Sequence, residues 1–183
     1  MQATHDQRDF QRLLNTLLDK IVALVKPGEP LNLVGIRTRG ETLAQRLVPL
    51  LHDRGITEIG FGALDITLYR DDLSEIGPRP LVRPTVLDFD IDRRPLILID
   101  DVIFTGRTVR AALDALADFG RPSAVRLAVL VDWGGRDLPI QPDAVALSLG
   151  ELPLDQVVKV KVAERDSYDG VEIERRSSHE SRE

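Results

Sequence analysis

From Phe10 to Val25 apolar residues recur at helical spacing (Phe10, Leu13, Leu14, Leu17, Leu18, Ile21, Leu24, Val25), and Pro27 with Gly28 stops the run. This pattern predicts an amphipathic helix. The short apolar stretch LNLVGI (31–36) predicts a buried strand, TRGET (38–42) a turn, and Leu43, Leu47, Leu50 and Leu51 one face of a second helix. Pro49 should kink or shorten that helix near Val48, because it lacks an N–H and crowds the preceding turn. Residues 58–68 read as extended. The next segment carries Pro78, Pro80 and Pro84 among many charges, and predicts a long excursion from the core.

A strand follows at Leu96 to Ile99, then a loop, then a helix with Val109, Ala112, Leu113 and Leu116 on one face and Arg110, Asp114 and Asp118 opposite. Gly120 and Pro122 are its stop signals, and AVRLAVLV (124–131) predicts another buried strand. Strand, helix and strand in this order imply an α/β fold, with a mostly parallel sheet and right-handed crossovers. The alternating VVKVKVA (157–163) predicts an edge strand with one wet face, and ERRSSHESRE (174–183) has nothing to bury. The expected organisation is one domain over residues 6–173, with a flexible loop at about 69–95 and unstructured ends at 1–5 and 174–183.

Composition narrows the setting. The 183 residues are 43% hydrophobic and 30% charged, as in ordinary soluble proteins. No apolar run approaches the roughly 20 residues a membrane helix needs. There is no cysteine, so disulfides and thiolate metal sites are excluded. The opening MQATHDQRDF lacks the charged-then-apolar order of a signal peptide, and the expected location is cytoplasmic. A formal charge of −6 argues against a generally basic protein that coats nucleic acid. The histidines His5, His52 and His179 have no metal-like spacing.

The chemistry concentrates in LILIDDVIFTGRT (96–108). An unpaired carboxylate inside a strand would be costly, so Asp100 and Asp101 are expected at the strand's carboxyl end, where open parallel sheets bind ligands. Thr105, Gly106, Arg107 and Thr108 then lead into a helix whose free N–H groups and positive dipole end suit a phosphate. The carboxylates suit hydroxyls a short distance away, which matches a ribose phosphate. The plainer reading is a turn cap followed by an ordinary helix start. A phosphoacceptor receiver domain also opens on an apolar strand ending in Asp-Asp. Its acceptor position would fall at Ser148, which cannot form an acyl phosphate. Neither GxxxxGK[ST] nor GxGxxG occurs, which disfavours P-loop and dinucleotide enzymes.

IDDVIFTGRT resembles the phosphoribosyl pyrophosphate (PRPP) signature of type I phosphoribosyltransferases. Together with VGIRTRG (34–40), DITLYRDDL (65–73), GRPSAVRLAVLVD (120–132) and RDLPI (136–140), the chain is similar to the PyrR family, pyrimidine operon attenuator and uracil phosphoribosyltransferase, over most of residues 6–163. The resemblance implies a central mostly parallel sheet with a flexible loop and a small hood. It implies transfer of ribose phosphate from PRPP to uracil to give UMP, with magnesium held through PRPP near Asp100 and Asp101. Thr38, Arg39 and Gly40 would form the pyrophosphate loop, Asp100 and Asp101 would hold ribose hydroxyls, and the run Val102, Ile103, Phe104, Thr105, Gly106, Arg107 and Thr108 would bind the nucleotide's 5-phosphate side. Tyr69, Arg70 and Asp71 would close over the site, and Arg39, Asp100, Asp101 and Arg70 would be catalytic. A non-catalytic sensor of UMP or PRPP on the same fold is the alternative.

The base pocket is expected near Val131, Asp132, Trp133 and Arg136, where Trp133 and Gly135 depart from the family's Arg-Gly-His-Arg. Packing or base stacking would each explain Trp133. The resemblance further implies a homodimer or higher homo-oligomer and binding of a pyr leader mRNA. Charge points the other way: between Trp133 and Gln156 one basic residue, Arg136, faces Asp137, Asp143, Glu151 and Asp155. In the first helix and its flanks Arg8, Arg12, Lys20 and Lys26 are balanced by Asp6, Asp9, Asp19 and Glu29, so RNA binding is expected to be weak.

Overall fold

The computed structural model describes residues 4–26, 28–72, 82–150, 152–153 and 155–175. The main sheet has six strands: β2 (Leu31–Ile36), β3 (Ile59–Leu64), β4 (Val86–Leu87), β5 (Pro95–Ile103), β6 (Ala124–Asp132) and β7 (Ala144–Ser148). Their order is β4-β3-β2-β5-β6-β7, parallel except where the short edge strand β4 runs against β3. A second sheet, antiparallel and three-stranded, joins β1 (Thr4–His5), β9 (Gly170–Arg175) and β8 (Gln156–Lys161). This is the hood, with the one-turn helix α4 (Ala163–Asp166) between β8 and β9.

Helix α1 (Gln7–Leu24) forms because its apolar stripe has a buried face and Asp6 caps its start, accepting from the N–H groups of Arg8 and Asp9. It shares one core with α2 (Arg39–Asp53), the sheet and the hood's Val158, Val160, Val162 and Val171. On the opposite face α3 (Arg107–Ala117) packs in a second core. Helices on both faces cover the parallel strands, whose continuous apolar runs require it.

Several expectations change. TRGET is not a turn, because α2 already begins at Arg39. Pro49 lies inside α2, which continues to Asp53. The fully buried Leu43, Leu47 and Leu51 outweigh the cost of about 3 kcal/mol for an interior proline. In α3 the buried face is Val109, Ala111, Ala112, Ala115 and Leu116, while Leu113 is 40% exposed. Thr4 and His5 pair with β9, and β9 itself reaches Arg175, so strands run past both boundaries expected at residues 5 and 173. Residues 1–3, 73–81 and 176–183 of the expected ends and loop lie outside those described.

Candidate active site

The strand β5 explains how two carboxylates fit beside LILI. On its β2 side pairing stops at Ile99, where the chain turns away through Arg37, whereas pairing with β6 continues to Ile103. Asp100 and Asp101 therefore lie within the strand rather than beyond it, at the point where one neighbour has ended. Because β2 leads outward to β3 on one side and β5 leads to β6 on the other, this opening is the sheet's topological switch point. A cleft of about 350 Å³ occupies it, lined by Ile36 to Arg39, Asp65 to Thr67, Arg70, Arg83, Asp100 to Val102 and Thr108.

Both helices that start at the cleft lack a side-chain cap. Thr38 precedes α2 and Gly106 precedes α3, and neither caps its helix as Asp6 caps α1; at α3 the Arg107 N–H alone has a side-chain acceptor, the Thr105 hydroxyl at 3.4 Å. The first N–H groups of a helix have no intrahelical partner, so each start offers donors and a positive dipole end to an anion. Gly106 adopts φ +91, which permits the tight entry into α3. Gly40 is needed for packing: a Cβ there would meet the backbone oxygen of Ile99 and lie 3.1 Å from the Cα of Asp100. That contact seats the start of α2 against the carboxylate pair. The Arg37–Thr38 peptide is cis.

Between the two helix starts, Asp100 is only 5% exposed and Asp101 half-buried. Burial, reinforced by the neighbouring charge of Asp101, pushes the Asp100 carboxyl well above the usual carboxylate range. Burial also raises Asp101, against the opposing influence of the Asp100 hydrogen bond and the nearby Arg39. Four arginines, Arg37, Arg39, Arg70 and Arg83, line the same space as three carboxylates, Asp65, Asp100 and Asp101.

The expected residues divide. Thr38, Arg39, Arg70, Asp100, Asp101, Val102 and Thr108 line the cleft together, and Gly40 supports it. Ile103 is buried in the core on the α3 side. Thr105 accepts the N–H groups of Asp137 and Leu138 at its carbonyl, and Arg107 reaches sideways to Asp71 at 2.7 Å and Asp137 at 3.2 Å. Tyr69 does not face the cleft; its hydroxyl bonds Asp118 and its ring packs on the α3 core. Arg70 pairs with Asp72 within its own segment.

Val131, Asp132, Trp133 and Arg136 are not among the cleft's lining residues. Val131 is fully buried, and Trp133, 6% exposed, stacks on Phe104 with centroids 4.1 Å apart and planes at 20°. A Cβ at Gly135 would meet the Phe104 ring at 2.6 Å, so glycine there makes room for the stack. Arg136 is braced by Asp132 at 2.8 Å and by the carbonyls of Phe104 and Ile140, each at 2.9 Å.

Two residues were missed. Asp65, 8% exposed, accepts the N–H of Thr67 at 2.7 Å and of Arg83 at 2.6 Å, and so ties the chain just after β3 to Arg83. Asp166 in the hood grips Arg39. An aspartate at a strand end was a readable signal for the first; the second pair spans 127 residues and has no local signature.

A model of the phosphoribosyl transferase domain matches residues 2–168. "Bifunctional protein PyrR" of Deinococcus deserti is 49% identical over 90% of both chains, and that of Thermus aquaticus is 50% identical over 90% of this chain and 91% of its own. Among solved structures, a hypoxanthine phosphoribosyltransferase from Staphylococcus aureus covers 88% of this chain and 84% of its own at TM-score 0.63 and 19% identity. That of Trypanosoma cruzi covers 92% and 94% at TM-score 0.65 and 14% identity, so these two share the fold. With its buried carboxylate pair at the switch point between two open helix starts, and with half its residues shared with those relatives, the chain belongs to the PyrR family of phosphoribosyltransferases.

Proposed function

We propose that the protein transfers the phosphoribosyl group of PRPP to uracil in the cytoplasm, forming UMP and releasing pyrophosphate. The observation that carries this reading is the pair of uncapped helix starts, α2 and α3, on either side of Asp100 and Asp101. PRPP has two anionic ends separated by a sugar, and the cleft has two anion sites separated by acceptors for sugar hydroxyls. The start of α3, with Thr108, takes the 5-phosphate, and the start of α2, with Thr38 and Arg39, takes the pyrophosphate. As uracil nitrogen bonds the anomeric carbon, the bond to pyrophosphate breaks, positive charge grows on the ribose, and the nitrogen's proton is released to the departing pyrophosphate or to water. The carboxylates lie beneath that charge, and the arginines face the departing anion.

Asp100 and Asp101 are two adjacent carboxylates, and no cluster of three or more possible metal-ligating side chains occurs among the described residues. That set fits magnesium: Asp100 and Asp101 would hold it beside the substrate, and it would supply neutralisation of the charge that develops on the leaving group. We place the base beside Val102, toward Val131 and Asp132, which pair with Val102 and Ile103 at the end of β5. In this reading the Phe104–Trp133 stack and the Asp132–Arg136 brace stiffen the wall behind the base.

Incubation with labelled PRPP, magnesium and a panel of bases tests the proposal. Pyrophosphate release with uracil is expected. Product with hypoxanthine or guanine but none with uracil overturns it, and binding of PRPP and UMP without turnover identifies a sensor instead.

A further inference from the structure

We propose that Asp166 is the positioning residue for Arg39, and through it for the pyrophosphate end of the substrate. The inference rests on the reading of the cleft given above. Arg39 opens α2 and lines the cleft, yet its Nε and Nη2 groups turn toward Asp166, at 3.3 Å from Nε and at 2.8 and 3.2 Å from Nη2. A guanidinium is a rigid planar fork, so fixing the Nε/Nη2 edge also fixes where the Nη1 edge points.

Of the two partners the carboxylate is the better anchored. Asp166 accepts the Val162 N–H at 3.0 Å, has Lys161 at 3.8 Å, and its side chain is 13% exposed against 34% for Arg39. The hood does not need this contact to stay on α2. Two turns along the same helix, Arg46 bonds both Glu164 and Asp169, and Arg46 does not line the cleft. One clamp therefore ties the hood down, and the other reaches the ligand space.

Calorimetry of magnesium–PRPP binding to the full chain separates these roles, and it requires no base. Asp166→Asn is expected to weaken PRPP about ten-fold, as loss of a group that orients a ligand-binding side chain does. In an Arg39→Ala background the same change should add nothing. Glu164→Gln, which loosens the Arg46 clamp, should leave PRPP affinity unchanged. In turnover, Asp166→Asn should raise KM for PRPP and not for uracil. Unaltered PRPP affinity in Asp166→Asn, a further loss in the Arg39→Ala background, or an equal loss in Glu164→Gln would each overturn the assignment. A protein that binds PRPP but does not turn over uracil would refute the activity proposed above, while the calorimetric comparison still decides the role of Asp166.

Discussion

A buried carboxyl whose pKa is raised is a cost to the folded protein. At neutral pH, Asp100 is held in surroundings that disfavour its charge, chiefly through burial and then through Asp101. Its contribution to stability therefore grows as pH falls through the raised folded value, and is least favourable at neutral pH and above. Asp100→Asn keeps an oxygen to accept the Asp101 N–H, now bonded at 2.9 Å, and removes the charge. It is expected to raise the melting temperature of the ligand-free protein at pH 7 while weakening PRPP binding; a lower melting temperature would refute the burial account. Asp101→Asn should weaken PRPP by about ten- to a hundred-fold, the effect of losing a hydrogen bond with a charged partner worth roughly 1.5–3 kcal/mol. Trp133 is a packing residue by its burial and its stack on Phe104, so Trp133→Ala should cost about 3–5 kcal/mol in urea unfolding, whereas Trp133→Phe should leave KM for uracil nearly unchanged.

At the scale of elements, the start of α2 is set by contact with β5 and by the hood. Gly40→Ala would drive a methyl into the Ile99 carbonyl, and backbone cannot yield as a flexible side chain can. Loss of more than about 2 kcal/mol of stability is expected, together with weaker PRPP binding, because the strain falls at the proposed anion site. The hood clamps add a pH dependence. The Arg46 hydrogen bond lowers Glu164, and the bonds from Arg39 and Val162 lower Asp166 despite its burial. Carboxyls with lowered folded pKa values stabilise above their unfolded values, near 4.5 and 3.8, and that support is lost as pH falls through the folded values. Amide protection in β8 and β9, taken relative to intrinsic exchange, should therefore fall below about pH 4 before that in β5. These elements differ in how far the sequence discloses them. The helical stripe of α1 and the apolar run of β5 were legible because one surface of each element is uniform. The start of α2 was not, since Thr38 makes no side-chain capping bond and no capping residue announces the helix. On α3 the expected Val109, Ala112 and Leu116 are buried, but Ala111 and Ala115 rather than Leu113 complete the face. The Asp100–Asp101 pair stood out as a local conflict with its surroundings. The Arg39–Asp166 contact, made between distant segments, presented no such conflict.

Over the whole molecule the question is whether the leader-RNA binding that the family resemblance implies has a surface to rest on here. Affinity for a polyanion requires cations free to meet phosphates, each contributing to binding and to its salt dependence. The net charge is −6, and many of the cations on the relevant surfaces already have protein partners. In and beside α1, Arg12 lies 3.4 Å from Asp9, Lys26 lies 3.7 Å from Glu29, and Lys20 donates to the Val145 carbonyl at 2.6 Å. Asp19 in the same helix takes Arg54 at 2.6 Å. In the segment after β6, Arg136 is turned inward to Asp132 and to backbone carbonyls, leaving Asp137 and Asp143 on the outside, and these hold Arg107 and Arg126. Recruiting these arginines and lysines to RNA would break existing pairs, and the remaining field repels a polyanion. We therefore expect weak RNA binding that nucleotides do not bring into the nanomolar range. Filter binding with the leader RNA of the protein's own operon, with and without UMP at physiological salt, measures this directly. UMP-stimulated nanomolar binding that a scrambled RNA abolishes would show that a minority of unpaired cations suffices, and would overturn the inference from charge.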